Sequence, residues 1–262
     1  MSVVGGLHNF RDTGGTALRA GGETRAGVLY RSDALGRLTD AGLEVFAETP
    51  IGVVVDFRTP HERAALPDRL PAGRPYRTVD LSILEGAMGE LAQQVMASGA
   101  PLTDDQLAAV AGSLPTLEQL YIGMLQHGAD AFAQVTRLVA ASTDDEPTAV
   151  LVHCTAGKDR TGVAVALLLE AAGAERSAVV ADYTASQANL AGEWADGMLQ
   201  MVASLGLPLT PALVTLMTGS PAEAIEGALA WVDATHGGAA EYLRSGGLTT
   251  EELAPLRTRL TA

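Results

Sequence analysis

The 262-residue chain contains a single cysteine, Cys154. No disulfide can close within it, and a C-x-x-C redox pair is excluded. That usage fits a reducing compartment. Lysine is equally scarce: of 17 basic residues, only Lys158 is not arginine. Positive charge is in deficit overall, with 31 acidic residues and a formal net charge of −14. Bulk electrostatics therefore oppose binding to nucleic acid or to an anionic membrane surface. No apolar run approaches the roughly 18 residues that mark a membrane span, so no integral membrane segment is expected. The start, Met1-Ser2-Val3-Val4-Gly5-Gly6, has neither the basic flank nor the long apolar stretch of a signal peptide. The expected location is cytoplasmic, with signal-less secretion left open. The scattered histidines lack metal-ligand spacing, and neither a metal nor an organic cofactor is expected. Repeats, low-complexity tracts and linkers are missing too, which predicts one domain over residues 1–262.

The scarce residues meet in one stretch, His153-Cys154-Thr155-Ala156-Gly157-Lys158-Asp159-Arg160-Thr161-Gly162. An apolar run, Thr148 to Val152, leads in and predicts a buried strand. A helical run, Val163 to Ala172, leads out, its helix opening near Thr161. Strand, tight loop and helix start together gather backbone N–H groups around an anion. Gly157 permits a close-approaching backbone, and a positive field of this kind favours a thiolate over a thiol. The Cys-x5-Arg spacing then suits cleavage of a phosphate ester. Cys154 is the candidate nucleophile. Arg160 can fork two N–H groups onto phosphoryl oxygens. Thr155, Ala156, Gly157, Lys158, Asp159 and Arg160 form the candidate binding loop, with Lys158 adding local positive charge. Thr161 is placed to hydrogen-bond the sulfur and help it leave. The implied route is in-line attack, a phosphocysteine intermediate and its hydrolysis. The rival phosphate loop G-x-x-x-x-G-K-[ST] fails, because Val152 stands at the first glycine position and Asp159 follows Lys158.

His-Cys-x-x-Gly-Lys-Asp-Arg-Thr-Gly resembles the signature of cysteine-dependent tyrosine and dual-specificity phosphatases. Its Lys-Asp-Arg-Thr version resembles the atypical bacterial tyrosine/lipid phosphatases of the PtpB type. Asn9-Phe10-Arg11-Asp12-Thr13-Gly14-Gly15 with Leu29-Tyr30-Arg31-Ser32, and Val55-Asp56-Phe57-Arg58 with Glu62, match the same family; Asp182-Tyr183-Thr184-Ala185-Ser186 is a weaker echo. The resemblance implies a tyrosine-phosphatase-like fold, a phosphorylated protein or a phosphoinositide as substrate, and inorganic phosphate as product. It also suggests a helical lid over about 84–113, a region whose own pattern reads equally as peripheral helices. Two other functions remain open on the residues alone. One is a catalytically inactive phospho-binding module. The other is a different cysteine enzyme, a sulfurtransferase or an arsenate reductase, although a reductase of that kind normally needs resolving thiols.

Elsewhere the chain alternates strand and helix signals, which argues for an α/β fold: a central, mostly parallel sheet flanked by helices, with a helical C-terminal half. Ile51 to Val55 reads as a strand buried on both faces. Asp56 and Arg58 emerge at its end, where open sheets place their ligands; an ion pair between them, or a brace for the loop, is expected. Thr59-Pro60-His61-Glu62 opens a short helix, and Tyr76 to Leu81 is a further strand. Helices are predicted over Thr39–Glu48, Thr116–Leu125, Asp130–Ala141, Ala188–Leu205, Pro211–Thr218, Pro221–Thr235 and Thr250–Leu260. Asn9, Arg11 and Asp12 are candidate site residues, read first as a hydrogen-bonded network that fixes the N-terminal loop; Asp12 is also expected to support the phosphate loop, which His153 orders through its ring. The leaving group needs a proton, and two carboxyls compete to supply it. Asp159 inside the loop is favoured, because the motif fixes its distance to the phosphoryl group. Asp80, at a strand end, is the alternative.

Overall fold

In the computed structural model, which describes residues 4–83 and 114–261, five strands build one sheet. They are β1 (Arg11–Asp12), β2 (Leu29–Ser32), β3 (Ile51–Asp56), β4 (Arg77–Asp80) and β5 (Ala149–His153). The order across the sheet is β1-β2-β5-β3-β4. The last four are mutually parallel, and β1 pairs antiparallel on the edge beside β2. The strand leading into the cysteine therefore lies at the centre. Ser32, His153, Asp56 and Asp80, each the last residue of its strand, stand in one register row. Every parallel strand thus delivers its C-terminal end to the same edge, the edge where such sheets bind ligands.

The pleat sends alternate residues to opposite faces. Val53, Val55, Val150 and Val152 enter one apolar cluster; Ile51, Val54, Ala149 and Leu151 enter the other. Burial on both faces explains why β3 and β5 read as unbroken apolar runs rather than alternating ones. Gly52 marks a bulge in the pairing of β3 with β5. A Cβ there would lie 1.5 Å from the carbonyl oxygen of Pro147, so no other residue fits.

Helices cover the sheet: α1 (Asp40–Ala47), α2 (Pro60–Ala65), α3 (Leu117–His127), α4 (Ala129–Ala140), α5 (Arg160–Ala172) and α6 (Arg176–Asn189). Further helices among the described residues are α7 (Glu193–Ser204), α8 (Pro211–Thr218), α9 (Ala222–His236), α10 (Ala239–Ser245) and α11 (Thr250–Thr261). Helix α5 is buried along its whole length, as its apolar sequence on all sides requires. Thr39, Thr59 and Thr116 cap α1, α2 and α3 through their side chains, the last two with the reciprocal capping box. The predicted helix Ala188–Leu205 is corrected at its start: Ala188 and Asn189 end α6, and α7 begins only at Glu193. The chain breaks between them at Gly192, which adopts φ +80°. The lid expectation for 84–113 lies outside the described residues. Among those residues no helix is long and apolar enough to cross a membrane.

Candidate active site

The loop between β5 and α5 is held from behind. Ala34 N–H donates to Thr155 O at 3.2 Å. Asn9 Nδ2 donates to both Ala156 O and Gly157 O at 3.0 Å, and Arg31 Nη2 reaches Gly157 O at 2.8 Å. A peptide plane that turns its carbonyl one way turns the next amide the other. Three carbonyls bound on the outside thus aim the amides of Ala156, Gly157 and Lys158 inward, as an anion cradle requires. Gly157 N–H points at Cys154 Sγ, 3.3 Å away. Gly157 adopts φ +68°, and a Cβ there would lie 2.2 Å from Ser32 O. Cys154 is buried at the mouth of α5.

Behind the loop the N-terminal motif is fixed in turn. Asp33 accepts the amides of His8 and Asn9. Asp182, on α6, pairs with both Arg11 and Arg31. Burial would raise its carboxyl, but Arg31 and Arg11 hold it below the usual carboxylate range.

In front, Arg160 Nη1 and Nη2 fork onto Glu62 Oε2 and Oε1 at 2.8 and 2.7 Å, and the Thr155 hydroxyl donates to the same carboxylate. The Thr59 amide adds a fourth bond at 2.8 Å. Burial works to raise Glu62; the Arg160 fork, the Thr155 hydroxyl and the Thr59 amide outweigh it and hold the carboxyl down at about 2. Beneath the cysteine, His153 is fully buried, with Nε2 3.1 Å from Asp68 Oδ2. Arg58 donates to Asp56 and to Asp68, each at 2.8 Å, so Asp56 and Arg58 do form an ion pair. Asp56, Asp68 and His153 bring potential metal-ligand atoms within 4.8 Å of one another. Among the described residues, the cation paired with the two carboxylates is the Arg58 guanidinium.

Asp159 Oδ1 accepts the Tyr121 hydroxyl at 2.7 Å and Lys158 Nζ at 2.8 Å. Lys158 is buried, and its ammonium also donates to Leu216 O on α8 at 2.9 Å. The Thr161 hydroxyl is buried and makes no hydrogen bond among the described residues. Asp80 stands apart: its side chain is 59% exposed and lies 3.5 Å from Arg63 Nε. Asp12 binds the Gly14 and Gly27 amides and shapes the N-terminal turn, one step removed from the phosphate loop.

The sequence does not flag Asp68 or Tyr121; it shows Arg31 and Glu62 in matching motifs without their roles in the site, and it suggests for Asn9 a network within the N-terminal loop rather than a clamp on the phosphate loop. Asn9 meets its carbonyls 147 and 148 residues away, a distance that no local pattern reports.

The family model described as "Tyrosine phosphatase family" matches residues 3–262. A Cupriavidus necator protein assigned as a tyrosine-protein phosphatase is 32% identical over 91% of this chain and 81% of its own. The tyrosine-protein phosphatase of Nostoc commune is 31% identical over 90% of this chain and 74% of its own. The triple specificity protein phosphatase PtpB of Mycobacterium tuberculosis is 31% identical, covering 93% of both chains. With the cysteine loop at the centre of its sheet and a family match over almost its whole length, this chain belongs to the tyrosine phosphatase family.

Proposed function

We propose that the chain hydrolyses phosphomonoesters through a cysteinyl-phosphate intermediate, with phosphotyrosine and phosphoserine/threonine proteins as substrates. The observation that carries this reading is the cradle: a buried sulfur under a loop whose Thr155, Ala156 and Gly157 carbonyls are engaged from outside. Cys154 attacks phosphorus in line. The loop amides and Arg160 take the phosphoryl oxygens, and Glu62, paired with Nη1 and Nη2, holds the guanidinium in place. Asp159 protonates the leaving oxygen and then draws the proton from the attacking water. Thr161 offers its buried hydroxyl to the departing sulfur. Phosphoinositide head groups belong to the proposed range. The triple specificity named for the Mycobacterium tuberculosis relative supports a broad substrate set.

The test is Cys154→Ser. Turnover of aryl phosphates and phosphopeptides should fall below a few per cent while vanadate and phosphate still bind, because the cradle and Arg160 remain. Rapid quench with radiolabelled substrate should trap a covalent phosphoenzyme in the wild type and none in the variant. Residual turnover above that level would remove Cys154 as nucleophile. Phosphate binding without wild-type turnover would make the chain a phospho-binding module.

A further inference from the structure

Asp159 receives two donors on one oxygen. Tyr121, fully buried on α3, donates its hydroxyl to Oδ1, and Lys158 Nζ donates to the same atom. A phenol has a single hydroxyl proton, and an ionised carboxylate only accepts. The 2.7 Å contact between the Tyr121 and Tyr183 hydroxyls therefore runs from Tyr183 to Tyr121. One directed chain results, Tyr183 to Tyr121 to Asp159. Burial pushes the Tyr121 hydroxyl well above the ordinary tyrosine range, with Asp159 and Tyr183 adding to the rise, so it persists as a protonated donor. The two rings meet edge to face, 5.9 Å apart at 84°, which fixes both hydroxyls.

We propose that Tyr121, backed by Tyr183, is a positioning residue that occupies Oδ1 of Asp159 and confines the transferable proton to Oδ2. The inference rests on the reading of Asp159 as general acid. A proton on Oδ1 would face both an ammonium and a hydroxyl donor; on Oδ2 it faces neither. In the first step Sγ bonds to phosphorus, the P–O bond breaks, and the leaving oxygen takes the Oδ2 proton. In the second step Oδ2 takes a proton from water, the water oxygen bonds to phosphorus, and the P–S bond breaks to return the thiolate. Tyr121 and Lys158 hold Oδ1 through both, so the same oxygen gives and recovers the proton.

The experiment compares two substrates, phenyl phosphate with a poor leaving group and 2,4-dinitrophenyl phosphate with a good one. Tyr121→Phe should lower kcat/KM for phenyl phosphate about tenfold, the scale of one charge-assisted hydrogen bond, and leave the activated ester within about twofold. Tyr183→Phe should do the same to a smaller extent, and carries the test should Tyr121→Phe fail to fold. Added to Asp159→Asn, Tyr121→Phe should cost nothing more on phenyl phosphate. Equal losses on both esters, or no loss, would overturn the proposal. A leaving-group signature in Asp159→Asn without one in either tyrosine variant would overturn it and leave the acid assignment standing. That signature in Asp80→Asn alone would remove the acid assignment and the proposal with it.

Discussion

Glu62 shows how a single carboxylate ties catalysis to acid stability. Its folded carboxyl is held down at about 2, against the ordinary 4.5. A depressed carboxyl stabilises the fold at every pH above its unfolded value, and that stabilisation is lost as pH falls through the folded one. The window is therefore pH 4.5 down to about 2. With the Glu62 side chain 27% exposed, the contribution is on the order of 2 kcal/mol after screening. Glu62→Gln keeps the shape and a weaker bond to Arg160. At pH 6 it should melt several degrees below wild type, and the gap should close as pH falls from 4.5 towards 2. Thermal denaturation across that range checks it. The same variant should raise KM about tenfold with a smaller change in kcat, because Arg160 meets substrate less well ordered. A melting gap that widens on acidification would show that Glu62 is not the group titrating.

At the scale of elements, the segment running from residue 4 through β1 and β2 is the backing on which the phosphate loop is formed. Asn9 alone engages two of its carbonyls. Asn9→Ala should leave both without that donor, at about 1–3 kcal/mol for buried groups. The expected result is a lower melting temperature together with phosphate and vanadate affinity weakened about tenfold, read as competitive inhibition constants. A lower melting temperature with unchanged anion affinity would show that the clamp does not orient the amides. How far these elements could be read beforehand follows from the range of their interactions. The apolar run before Cys154, the double-faced burial of β3 and the capping boxes at Thr59 and Thr116 are local, and they are visible in the chain. The break at Gly192 is hidden in the sequence because helix signals continue on both sides of it. Helices α6 and α10 carry no clear signal of their own: Arg176–Asn189 is polar enough to blur its apolar face, and Ala239–Ser245 is barely two turns. The site divides the same way. Cys154, Gly157 and Arg160 announce themselves by spacing, whereas Asp68 under His153 and Tyr121 on Asp159 join partners that only the folded chain brings together. Lys158 illustrates the limit: its sequence context suggests a charge free for a ligand, yet the fold engages its ammonium with Asp159 and Leu216.

The molecule as a whole repels what its loop attracts. A net charge of −14 surrounds a cradle built from amides, Arg160 and a helix N-terminus. The two fields act over different distances. Between exposed charges the attraction or repulsion fades beyond a Debye length, about 10 Å at 0.1 M salt and about 30 Å at 0.01 M. Hydrogen-bond contacts in the loop are far shorter and partly buried, so salt screens them little. At low ionic strength an approaching phosphate dianion therefore meets the global repulsion in full. Adding an inert monovalent salt should remove that penalty and spare the cradle. For a dianionic phosphopeptide, kcat/KM should rise about two- to threefold from 0.01 to 0.15 M sodium chloride, through KM rather than kcat. Sulfate and phosphate buffers must be avoided, since both compete for the loop. A neutral-to-cationic peptide around the same phosphotyrosine should show the opposite slope, because its own charges are drawn to the acidic surface. For a phosphoinositide the same physics favours a soluble short-chain form over an anionic vesicle, with the difference greatest at low salt. Initial rates at fixed pH across the salt series decide the matter. A kcat/KM that falls with salt for the dianionic peptide would mean that a local basic surface, rather than the whole-molecule charge, governs capture.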